Sequence, residues 1–153
     1  MKVSPWAFLG LPKAPVPEAE SAEYCACRAE LEGKRLVLRE AKTTPTKTGQ
    51  FVTVWKRPQP DAEIAPLDEA DPVDVVIIAV SNGARHGFFI FSRAVLIERG
   101  VMSRTGQGGK RALRVYPPWC APESVQVQRT QRWQAVWFVD VGDQLSLIRI
   151  LET

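Results

Sequence analysis

Apolar and polar positions along the chain fall into short blocks that alternate with a period of two. Within residues 51–56, Phe51, Thr53 and Trp55 alternate with Val52, Val54 and Lys56. Apolar side chains on both parities predict a strand covered on both faces and central in its sheet. Residues 73–80 are apolar except at Asp74, which predicts a second doubly buried strand, with Asp74 at its mouth on the parity of Val76 and Ile78. Cys25, Cys27, Ala29 and Leu31 share one parity, Glu32-Gly33-Lys34 turns the chain, and Leu36 and Leu38 return on a matching face, so a hairpin is expected. The same parity carries Glu40 and Lys42 to the core side, at a rim or in a polar pocket, because an unpaired charge inside is costly. A second hairpin is expected where Ser81-Asn82-Gly83 separates residues 73–80 from a strand at 86–91.

Ser92 suits the N-cap of a short helix at residues 93–99 that Gly100 ends. The RTGQGGKR segment at 104–111 predicts a mobile basic loop, and residues 112–116 a strand halted by Pro117 and Pro118. From Ser124 onward, Val125, Trp133, Val136 and Trp137 fit the apolar side of a helix, with Gln128, Arg129 and Arg132 on the solvated side. A strand at 145–151 is expected to close the sheet's edge. Residues 1–22 hold Pro5, Pro12, Pro15 and Pro17, a density that predicts an extended arm pinned by Trp6, Phe8 and Leu9. The acid- and proline-rich residues 58–72 read as an exposed connection. Two hairpins and short helices without a repeating βα period indicate an α+β fold: one compact domain at 23–153, with a mixed, largely antiparallel central sheet.

At 153 residues the chain is long enough to fold unaided. No apolar run approaches the roughly 18 residues of a membrane span, and residues 1–17 lack the apolar core of a signal peptide. An odd count of three cysteines matches a reducing compartment, so a cytoplasmic protein without a membrane partner is expected. The net charge of +3 is mild, but its distribution is uneven. Arg99, Arg104, Lys110, Arg111 and Arg114 occur in a stretch without an acid. Asp61, Glu63, Asp68, Glu69, Asp71 and Asp74 occur in one without a base. That segregation predicts a basic face and an acidic edge.

Five blocks in order, KTTPTKTGQFVTVWKR, VDVVIIAV, HGFFIFSRAVLIERGVMS, GKRALRVYPPW and TQRWQAVWF, resemble the MepB family of bacterial proteins over residues 24–139. The family is named for its association with a multidrug efflux operon, and the resemblance brings no reaction with it.

Two constellations carry candidate chemistry. Glu40-Ala41-Lys42 is an E-x-K triplet on a strand and Asp74 begins another, the elements of a restriction-endonuclease-type site. There, carboxylates hold a divalent metal that activates water and the lysine steadies phosphate charge. Here the usual order is reversed, and residues 87–91 offer neither acid nor lysine. The second constellation is basic and aromatic. Lys42, Lys47, Lys56, Arg57, Arg104, Lys110, Arg111 and Arg114 suit a phosphate backbone, and Tyr116, Trp119, Trp133 or Trp55 suit packing against sugars or bases. In a purely structural reading the lysines solvate a surface, the tryptophans fill a core, and Tyr116-Pro117-Pro118-Trp119 seals a corner.

Other chemistries fail on the residues. Arg104 stands where a P-loop needs its first glycine, and Arg111 follows Lys110 where Ser or Thr is required. His86, the lone histidine, leaves no Ser-His-acid triad without it. Cys25 and Cys27 lack nearby soft ligands for zinc. The reading that results is a non-catalytic, cofactor-free nucleic-acid binder, for DNA first, on a core related by analogy to restriction endonucleases. Its alternatives are a magnesium-dependent nuclease or phosphodiesterase using Glu40, Lys42 and Asp74, or an adaptor for a small molecule or partner linked to efflux.

Overall fold

The computed structural model describes residues 4–141 together with Ile150 and Glu152. The strands are β1 (Val16–Pro17), β2 (Cys27–Leu31), β3 (Lys34–Glu40), β4 (Lys42–Thr43), β5 (Gln50–Thr53), β6 (Trp55–Lys56), β7 (Ala65–Pro66), β8 (Val75–Asn82), β9 (Arg85–Ser92), β10 (Ala112–Val115) and β11 (Phe138–Asp140). Helix α1 spans Arg93–Glu98 and α2 spans Val125–Ala135. The main sheet runs β1-β2-β3-β8-β9-β11, a three-stranded sheet runs β10-β5-β4, and β6 pairs with β7. Every pairing is antiparallel except β3 with β8, so the chain is an α+β domain with a mixed, largely antiparallel sheet.

The apolar run in β8 works as its composition predicts, because each parity has its own cover. Val76, Ile78 and Val80 join Val37, Phe89 and Phe91 in a core closed by Val52, Val54, Leu113, Val115 and α1. Val75, Ile77 and Ala79 join Leu36, Leu38, Phe88 and Ile90 on the other face, under Trp6, Leu9 and Ile150. Burying each such large side chain contributes about 2 kcal/mol.

Both hairpins form, β2 with β3 and β8 with β9. Ser92 caps α1 by accepting from the Val95 N–H at 3.2 Å, and Gly100 follows with φ +72°. Gly87 on β9 is needed for another reason: a Cβ there would lie 2.3 Å from the Phe138 ring, so its absence lets β11 close against β9.

Several expectations give way to tertiary packing. The strand foreseen over residues 51–56 is split, since the Val54 N–H donates to the Arg111 carbonyl at 2.9 Å and the chain then leaves for β6. Its first half, β5, is central only in the smaller sheet. The N-terminal arm is a covering layer: Pro5–Leu9 forms a 3-10 turn, Trp6 donates to the Cys25 carbonyl at 3.0 Å, and Trp6 and Leu9 are buried while Phe8 stays exposed. Glu18, just past β1, pairs at 3.0 Å with the buried Arg39. The connection at 58–72 is pinned by Arg93, which donates to the carbonyls of Val73, Glu69 and Asp71. The basic loop is tied down as well, because Asp68 accepts from the Ser103 hydroxyl at 2.6 Å and the Gly106 N–H at 2.9 Å. In α2 it is Gln134 that is buried, while Val125 and Val136 are exposed. Its side chain accepts from the Tyr116 N–H at 2.8 Å and donates to the Arg114 carbonyl at 3.1 Å. The helix ends at Ala135, short of Val136 and Trp137, and edge strand β11 follows. The strand foreseen at 145–151 lies outside the described residues except for Ile150, which is buried.

The parallel pair has a fixed register, Leu36 opposite Val75 and Glu40 opposite Ala79. At its start Asp74 accepts from the Arg35 N–H at 2.8 Å and from its guanidinium at 3.0 and 3.2 Å. The guanidinium bond, followed by the backbone bond, holds the Asp74 carboxyl down to about 2.

Gln134→Ala is expected to lower stability by about 2 kcal/mol, since it orphans a buried N–H and a carbonyl together; an unchanged urea midpoint would refute the role. Asp74→Ala is expected to cost about 1 kcal/mol at neutral pH, discounted for solvent around the pair. Asp74's contribution is complete above its unfolded value of 3.8 and fades as pH falls toward about 2. Urea midpoints of wild type and variant should therefore converge below about pH 4, and a constant gap would assign the loss to something other than the carboxylate.

Candidate functional site

The site is built around Arg114 on β10. The registers Lys42↔Phe51 and Arg114↔Phe51 put Lys42, Phe51 and Arg114 in one row on one face of the three-stranded sheet. From that row the Arg114 guanidinium donates to the Thr44 hydroxyl at 2.8 Å and to the carbonyls of Thr48 at 3.0 Å, Gly49 at 3.2 Å and Lys47 at 3.4 Å. One side chain thus folds the threonine- and lysine-rich loop against the second basic segment. Gly49 has φ +82°, and a Cβ on it would sit 2.6 Å from the Tyr116 ring, so only glycine lets the loop close there.

Two grooves open beside this clamp. One, of about 470 Å³, is lined by Lys47, Thr48, Arg114, Tyr116 and Val127, with Glu123 at its side. The other, of about 580 Å³, is lined by Arg99, Lys110, Arg114, Tyr116, Val127 and Trp133. They share Arg114, Tyr116 and Val127, so the two grooves adjoin at Arg114, with Lys47 lining one and Lys110 and Arg99 the other. Arg99 lies over the Trp133 ring at 5.1 Å, and Lys42 over Tyr24 at 5.4 Å. Sequence reasoning leaves Arg99 out of the site. It stands at the end of α1, and only the fold brings it to Trp133.

The other predicted cations are placed differently. Lys56 pairs with Asp71 at 2.7 Å, and Arg57 pairs with Glu20 at 2.8 Å while lying over Trp55 at 5.7 Å. Arg104 and Arg111 are exposed, Arg104 in the loop that Asp68 holds. The hydrogen bond from Ser103, then those from Gly106 and Ala70, draw the Asp68 carboxyl down to about 2. The acidic and basic segments therefore meet in places instead of forming separate faces. Tyr116 is buried and Trp119 packs edge-on against Phe138 at 5.8 Å, so this pair seals the corner, and Trp133 joins Tyr116 in lining the second groove.

The presumed catalytic trio is divided by the parallel register. Asp74 is level with Arg35, five residues before Glu40, a separation of about 16 Å along the strand. Its carboxylate is engaged by Arg35. Glu40 and Asp74 thus do not fit a shared divalent ion. Among the described residues no cluster of His, Cys, Asp and Glu suits a metal. Glu40 and Lys42 do come together at the far end, lining a cavity of about 510 Å³ with Phe8, Gln50, Ser81 and His86. Among the described residues, Cys25, Cys27 and Cys120 form no disulfide. Among the described residues, no helix is long and apolar enough to cross a membrane.

No curated protein matches the chain. The crystal structure of MepB is similar, with a TM-score of 0.80 and 31% sequence identity over 86% of this chain and 87% of that one. The model of the MepB-like family matches residues 18–140. That span takes in both hairpins, the Arg114 clamp and the grooves along α2, and the chain belongs to the MepB-like family.

Proposed function

We propose that this protein binds nucleic acid, DNA foremost, through the phosphate backbone and without catalysing a reaction. The observation that carries this reading is the pair of adjoining grooves that share Arg114, one lined by Lys47 and the other by Lys110 and Arg99, cations from two distant parts of the chain. A row of cations matches a polyanion because each neutralised phosphate releases condensed counterions. Arg114 contributes charge while its hydrogen bonds hold the loop, so the surface is organised before a ligand arrives. Such contacts fix position without reading sequence, and Trp133 beside them offers a face to a base or sugar. Three cysteines without a disulfide among the described residues agree with a reducing, cytoplasmic setting.

Gel retardation with duplex DNA and with RNA, at low and raised salt and with and without magnesium, tests the reading. Retardation that salt abolishes, with no cleavage product, is expected. Lys47→Ala, Arg99→Ala and Lys110→Ala should each weaken binding and flatten the slope of log affinity against log salt by about 0.9 on duplex DNA. Lys13→Ala, on the surface near Arg35, should leave the slope unchanged. Salt-insensitive retardation, or groove variants that behave like Lys13→Ala, would overturn the proposal. A cleavage product in magnesium would replace it with a hydrolytic one.

A further inference from the structure

Helix α2 presents a second surface besides the flank that lines the grooves. Val125, Arg129, Arg132 and the C-cap Val136 follow one another at steps of four, three and four residues, so they form a single stripe on the side away from the buried Gln134. We propose that this stripe reads base edges in the major groove of duplex DNA, with Arg129 and Arg132 each taking a guanine. The inference rests on the function proposed above and adds sequence recognition to it, since phosphate contacts alone read no sequence.

The stripe differs from the rest of α2 in what its side chains do. Gln128 donates to the Pro122 carbonyl at 3.0 Å, Gln131 to the carbonyls of Pro117 and Cys120 at 3.0 Å each, and Gln134 bridges Arg114 and Tyr116. Those bonds fasten the helix to the body and fix its orientation. Arg129 and Arg132 are exposed, and among the described residues neither forms an ion pair. Val125 and Val136 are 60% and 65% exposed, although valine is among the residues that packing most often buries. A firmly held helix thus displays two unneutralised cations between two exposed valines, and α2 itself carries no acid.

The dimensions fit one occupant. A helix with its side chains is about 10–12 Å across, and the major groove of B-form DNA is about 12 Å wide. Three residues rise about 4.5 Å, so Arg129 and Arg132 reach neighbouring base pairs, which stack about 3.4 Å apart. There a planar guanidinium meets O6 and N7 of guanine with two parallel N–H donors, and a valine methyl meets the C5-methyl of thymine. Phosphates border such a groove, and the flank of α2 has cations for one border. The second groove, with Arg99, Lys110 and Arg114, is also lined by Gln126, Val127 and Thr130 of the helix. A-form RNA closes its major groove to side chains, so the stripe selects DNA. An anionic membrane is a poor match, because Val125 and Val136 lie about 16 Å apart along the axis and give no continuous apolar face to insert.

Selection of random-sequence duplex DNA by the full chain, followed by anisotropy titration of the selected duplex and a scramble of equal composition at one salt concentration, tests the assignment. The selected site is expected to carry guanines at neighbouring base pairs and to bind about a hundredfold more tightly than the scramble, about tenfold for each arginine. Arg129→Gln and Arg132→Gln, at exposed positions outside the core, should each cost the selected duplex at least about tenfold more affinity than the scramble. Selection repeated with either variant should lose one guanine, a change that removal of charge alone does not produce. Lys47→Ala should weaken both duplexes equally, and the selected sequence made as duplex RNA should show no preference over its scramble. Duplex binding without an enriched sequence, or an enriched sequence that both variants still select, overturns the helix assignment and leaves the backbone-binding function standing. Absence of binding to any duplex overturns both. Polyglutamate or phosphatidylglycerol vesicles bound through Arg129 and Arg132 would then identify the stripe as a docking face for an acidic protein or a membrane.

Discussion

The parallel pairing of β3 with β8 is the constraint on which the rest of the molecule depends. Two strands that run the same way must be joined by a crossover, and here the crossover contains β4 to β7 and the pinned connection that follows. That excursion supplies two strands, β4 and β5, of the small sheet that β10 completes and that covers one face of the main one. It also sets the polarity of the molecule: both strands begin at the Arg35–Asp74 pair and end at the cavity that holds Glu40. Placing Asp74 and Glu40 at opposite ends follows directly from this register, and no local adjustment of side chains can undo it.

Charge acts at two levels here. Some pairs fasten chain segments: Lys56 to Asp71, Arg57 to Glu20, and the buried Arg39 to Glu18. Breaking the last from one side would strand a buried charge, a far larger loss than separating an exposed pair. Arg114 is different because its partners are carbonyls and a hydroxyl, which orient the guanidinium without neutralising it. Positive potential therefore persists where the loop is most firmly held.

The sequence made the local architecture legible where the signal was local. Alternation marked β2 and β3, an almost unbroken apolar run marked β8, the turn after it marked β9, and Ser92 and Ser124 marked the starts of both helices. What stayed hidden depended on contacts between distant segments. Val136 looks like a core residue on a helical wheel and is exposed, while Gln134 is buried because the end of β10 and Tyr116 just after it offer one acceptor and one donor. Trp6 and Leu9 cover a sheet face although prolines surround them, since burial outweighs the loss of regular structure. Part of the site could be read: Lys47, Lys110 and Arg114 are grouped, whereas Arg99 and the cavity walls Phe8 and His86 are assembled only by the fold.

The amide of Gln134 has a consequence beyond its two hydrogen bonds. β10 is an outer strand of its sheet, and unpaired peptide groups on such a strand invite recruitment of a neighbouring molecule. By occupying the positions where an incoming backbone would dock, a single side chain makes α2 a guard of this edge against edge-to-edge pairing.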